Sequence, residues 1–112
     1  MTDFAIIREI VSVYERNDWI LRIFALRRQT RQKLGSTIAE AYPAVPIADS
    51  VTDAAWFSRK AGNASGVWEI RHLGETPYAL LTEIDGSQRD TETTLREFEQ
   101  RLQSALESRR TS

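Results

Sequence analysis

The sequence predicts an α+β domain: a two-layer sandwich in the order α-β-α-β-β-β-α, with a four-stranded, mainly antiparallel sheet and helices mostly on one of its faces. Three observations lead there. Apolar residues recur at spacings of three and four in three segments, short apolar runs bounded by turn residues fall between positions 55 and 84, and a length of 112 residues leaves room for one core. The expectation is a single domain over residues 1–112, because neither half could bury a core alone.

Phe4, Ile7, Val11 and Tyr14 form one apolar stripe, so a first helix is expected over about residues 3–16, capped by Thr2 and ended at Asn17. The run Trp19 to Leu26 is short, β-branched and aromatic, which favours a strand. A second helix carries Leu34, Ile38, Ala41 and Tyr42 on one face, with Thr30 as its cap, Gly35 as a weak point and Pro43 as its stop. Pro43 to Asp53 suits a surface connection with a short extended piece at Val45 to Ala48.

Ala55 to Lys60, Val67 to Leu73 and Tyr78 to Ile84 then form an antiparallel meander. Their connections are a flexible loop from Ala61 to Gly66 and a tighter one from Gly74 to Pro77. Beyond Asp85-Gly86, Asp90 or Thr91 caps a last helix with Leu95, Phe98, Leu102, Ala105 and Leu106 on one face. Glu92 near its start and Arg109-Arg110 near its end both suit the helix dipole.

Composition narrows the function. Lys+Arg 15 against Asp+Glu 16 gives no broad basic field for non-specific nucleic-acid binding, and the absence of cysteine removes disulfides, thiolate catalysis and Cys-based zinc sites. With no secretory-type leader and no apolar run long enough for a bilayer, the reading is an intracellular, cytoplasmic protein without a membrane partner. The glycines at 35, 62, 66, 74 and 86 are scattered and form no phosphate-cradling motif, so no nucleotide cofactor is expected by those routes. No metal centre is expected either, since His72 is the single histidine.

If helices cover one sheet face, charged residues should mark the other. Alternation sends Ile20, Arg22 and Phe24 outward and keeps Trp19, Leu21, Ile23 and Ala25 inside. Glu69 and Arg71 go outward, against Trp68, Ile70 and His72 inside. Ala79, Leu81 and Glu83 likewise go outward, against Tyr78, Leu80, Thr82 and Ile84. Residues 55–60 are ambiguous, because each parity holds one aromatic and one cation, and the choice of Arg59 outward carries Phe57 with it. The expected partner-binding set is therefore Arg22, Phe24, Phe57, Arg59, Glu69 and Arg71, engaging a second copy or another protein. The plain structural alternative is a solvated face of cross-strand ion pairs.

Two other readings remain. Arg22, Arg27, Arg28, Arg31 and Lys33, uninterrupted by any acid, could hold an anion or nucleic acid, although Asp49, Asp53 or the acidic last helix could neutralise them. Alternatively, His72 could act in a small enzyme as a general base beside Ser58 or Thr82, oriented by Glu69 or Asp85, or Glu69 and Glu83 could pair as carboxylates. No catalytic residue is assigned, because a lone strand-end histidine is more often structural.

Overall fold

The computed structural model describes residues 3–61, 65–74, 79–85 and 91–111. Helix α1 (Phe4–Arg16) is capped by Asp3, whose carboxylate accepts from the Ile6 amide at 2.9 Å. That cap lies one residue after the expected Thr2. The helix ends at Asn17, and the amides of Asp18 and Trp19 return to the carbonyls of Glu15 and Tyr14 at 3.2 and 3.0 Å. This double closure is a Schellman motif. It needs a left-handed residue after the cap, and Asp18 supplies it with φ 67. Its usual apolar contact is also present, with the Tyr14 and Trp19 rings packed edge-on at 5.9 Å.

Strand β1 (Ile20–Leu26) leads through Arg27 into α2 (Arg28–Ala41), and the chain returns as β2 (Ile47–Asp49), parallel to β1. The meander follows as β3 (Ala54–Ala61), β4 (Ser65–His72) and β5 (Ala79–Asp85), before α3 (Thr91–Thr111). The sheet order is β2-β1-β3-β4-β5. The α+β class is as expected, but the sheet has five strands and is mixed, because the extended piece after Pro46 pairs with β1 rather than lying free on the surface. Thr2, Asp90, residues 62–64 and the turn at residues 75–78 lie outside the described residues, as do the side chains of Lys60, Glu83, Ile84, Asp85, Glu92, Arg109 and Arg110.

The larger departure is in the layers. Ile7, Ile10 and Val11 of α1 and Ile38 of α2 pack with Phe24, Leu26, Ala55 and Phe57 on one sheet face. Leu95, Leu102 and Leu106 of α3 pack with Ala54, Trp56 and Ile70 on the other. Helices therefore cover both faces, and β3 is buried on both sides from Ala54 to Ser58. Trp56 is fully buried beneath α3, and its indole N–H, which could not remain unpaired there, donates to Glu99 at 3.1 Å. Ser50 donates to the other oxygen of the same carboxylate at 2.7 Å.

Candidate interaction surface

Pairing of β1 with β3 shifts between Leu21 and Ile23, which makes Arg22 an extra residue in the strand. Alternation reverses across such a bulge. Leu21 and Phe24 consequently belong to the same core as α1 and α2, while Ile23 joins the core beneath α3. Phe24 and Phe57, expected as exposed anchors, are both fully buried. Tyr14 stacks on Phe57 at 4.1 Å between centroids, and Tyr42 packs against Phe24 at 5.4 Å. Neither phenylalanine can meet a partner, because two helices lie over the part of the sheet that holds them.

The remaining four residues separate into two pairs. Glu69 and Arg71 stand on β4, just beyond α1, at the edge of the helical cover. The Tyr14 hydroxyl donates to Glu69, and Arg71 Nη1 donates to the carbonyl of His72 at 2.7 Å. Desolvation, reinforced by the adjoining Glu69 carboxylate, pushes the Tyr14 hydroxyl well above its ordinary pKa, so it stays protonated as a donor. Between α1 and β4 lies a hollow of about 480 Å³ walled by Ile6, Ile10 and Val13 and closed by Arg71 and Gly74. Beyond it Ala79 and Leu81 of β5 face solvent, Leu81 at 59% exposure, and Val13 is 40% exposed. Among the described residues, this face of β5 is exposed at Ala79 and Leu81.

Arg22 and Arg59 lie together elsewhere. Arg22 Nε donates to Ser58 Oγ at 2.6 Å, and the Arg59 guanidinium sits 4.7 Å from the Trp19 ring centroid. Both line a second hollow of about 540 Å³ with Ile20, Gly66 and Trp68.

The basic stretch is largely turned inward. Arg27, the cap residue of α2, offers no capping side chain, and Asp53 from the start of β3 takes that role across the sheet. Its carboxylate accepts from the Arg27 amide at 2.9 Å, from Arg27 Nε and Nη2 at 3.1 and 3.0 Å, and from the Thr30 hydroxyl at 2.7 Å. Thr30 is thus a first-turn residue and not the cap. Arg31 pairs with Asp49 at 2.6 Å. The Asp53 carboxylate already occupies the helix start where an anion would bind, Asp49 engages Arg31, and among the described residues Arg28 and Lys33 are the cations of this stretch without an ion pair or hydrogen bond.

Strand register takes apart the enzyme constellation. His72 lies opposite Ala54, whereas Ser58 and Thr82 both lie opposite Trp68, four residues away or roughly 13 Å at strand rise. Glu69 points to the other face, and position 85 pairs with Ser65, farther still. His72 Nδ1 sits 3.2 Å from the Asp53 carbonyl, and burial lowers its pKa against the opposing pull of that hydrogen bond. Among the described residues no cluster of His, Asp and Glu could hold a metal ion, and no helix is long and apolar enough to cross a membrane.

Alternation on the strands could not reveal the helical wall of the first hollow. A signal was present in α1, where Ile6, Ile10 and Val13 form a second stripe beside Ile7, Val11 and Tyr14, wider than one buried face requires. No protein-family model, curated protein or solved structure matches this chain.

Proposed function

We propose that the protein is an interaction domain that self-associates by antiparallel pairing of β5 with β5 of a second copy, next to the uncovered face formed by β4, β5 and α1. The observation that carries this reading is the edge. Among the described residues, β5 has a neighbouring strand on one side only, runs for seven residues, carries no proline, and holds its charged residues only at positions 83 and 85. Leu81, at 59% exposure, adds an apolar side chain at its middle.

The sequence of β5 is also self-complementary. Two-fold pairing about Thr82 sets position 79 opposite 85, 80 opposite 84 and 81 opposite 83, so Glu83 and Asp85 meet Leu81 and Ala79 and no like charges face each other. Sedimentation velocity across micromolar concentrations tests this. Leu81→Glu places two carboxylates opposite each other twice per dimer and should weaken association by at least about tenfold. Leu81→Lys, set opposite Glu83, should preserve it. A wild type that remains monomeric at about 100 μM, or equal loss in both variants, refutes the pairing. The basic stretch supports an anion or nucleic-acid role less well, because Asp53 and Asp49 already engage Arg27 and Arg31.

A further inference from the structure

We infer that the second hollow, on the α3 side of the sheet, is a binding site for a small aromatic carboxylate. Its floor is one row across three strands: Ile20 lies opposite Ser58, and Ser58 opposite Trp68. Leu95, Leu102 and Leu106 of α3 pack on Ala54, Trp56 and Ile70, farther along the strands, so among the described residues the row opens on a volume of about 540 Å³. Ile20 is 52% exposed and Trp68 is half-buried. Gly66 lies beside the Trp68 indole, where even a β-carbon would come within 3.6 Å of Nε1, so the edge of that ring stays accessible. The buried Trp56 holds Trp68 in place through an edge-on contact at 6.2 Å. A flat apolar group therefore has a fixed surface on which to lie.

The polar half of the site is equally prearranged. The bulge projects Arg22 over the row, and Ser58 fixes its guanidinium through Nε alone. Among the described residues its two terminal nitrogens make no hydrogen bond, which leaves a paired set of donors of the kind that grips a carboxylate. Arg59 borders the hollow from its strand position, while its guanidinium is turned to Trp19, which packs with the α1 core on the other face. Asp18 also lines the hollow, so a single free guanidinium fork beside one carboxylate suits a monoanion better than a multiply charged phosphate. The chemistry is shared by a free aromatic acid and by the C-terminus of a peptide ending in an aromatic residue.

The test uses the indole N–H resonances of the full chain, titrated with phenylacetate and with its neutral isostere phenylacetamide. Phenylacetate should shift the Trp68 signal saturably, at least about tenfold more tightly than the amide, while Trp56 beneath α3 stays still. Arg22→Gln should reduce phenylacetate to the amide's level. N-acetylphenylalanine separates the sources: tighter binding than phenylacetate assigns the site to a peptide end, and weaker binding assigns it to a free acid. Equal binding of acid and amide by the wild type overturns the inference without any variant. So does an Arg22→Gln protein that binds unchanged, or a shift shared by all three indoles.

Discussion

Replacing Asp53 by alanine should destabilise the protein far more than removing the cation it pairs with. Asp53 is 2% exposed, and its carboxylate accepts from a backbone amide at the start of α2, from the Arg27 guanidinium and from the buried Thr30 hydroxyl. Losing those two neutral partners costs about 1 kcal/mol each. A negative charge beside the helix N-terminus adds about 0.5 kcal/mol. The guanidinium contributes less, because the Arg27 side chain is 49% exposed and screened by water, leaving a total of about 3 kcal/mol. Arg27→Ala keeps the amide and hydroxyl bonds, so it should cost about 1 kcal/mol or less. Urea unfolding followed by tryptophan fluorescence measures both. At an m-value near 1.5 kcal/mol/M the midpoint should fall by about 2 M for Asp53→Ala and by well under 1 M for Arg27→Ala, with m unchanged. Equal losses in the two variants would show that the ion pair, and not the capping of α2, holds this corner together.

Three further outcomes follow from local geometry. Asp18→Gly should stabilise the fold by about 0.5 kcal/mol in the same assay, since glycine adopts the left-handed conformation at φ 67 without a β-carbon penalty; a loss would mean the aspartate side chain matters more than its backbone. Gly74→Ala should cost about 1–3 kcal/mol because its new methyl would collide with the His72 imidazole, and pairing it with His72→Ala should recover part of that loss; full additivity would contradict the collision. His72 has a folded pKa below its ordinary 6.5, so the unfolded chain takes up the proton first as pH falls. Its contribution is complete above about pH 6.5 and declines below it, and His72→Gln should flatten that part of the stability profile; an imidazole NMR midpoint above 6.5 would reverse the sign.

Local signals in the sequence located most elements, because helices and hairpins depend on neighbouring residues. The stripe of Phe4, Ile7, Val11 and Tyr14 marks α1, and Pro43 lies just past the end of α2 at Ala41. What the pattern hid was the second helical layer. Ala54-Ala55-Trp56-Phe57 resists assignment by alternation because both parities are apolar, which is how a strand buried on two faces looks. The bulge at Arg22 was equally invisible, since one inserted residue reverses parity without any change in composition, and it moves Phe24 from surface to core. Pairing of Arg27 and Arg31 with Asp53 and Asp49 was within reach, because charge balance alone suggests it.

The position of β1 in the sheet also bears on how the chain can assemble. β1 lies between β2 and β3, and both of those strands follow it in sequence. The first helix and strand therefore have no sheet to join until residue 47 and beyond have been made, whereas β3, β4 and β5 pair with immediate neighbours. Close pairings of this kind cost little chain entropy to form, while adding β1 means closing a longer loop. During synthesis, then, an apolar strand and the apolar face of α1 precede the strands they pack with, the first of which begins only at Ile47.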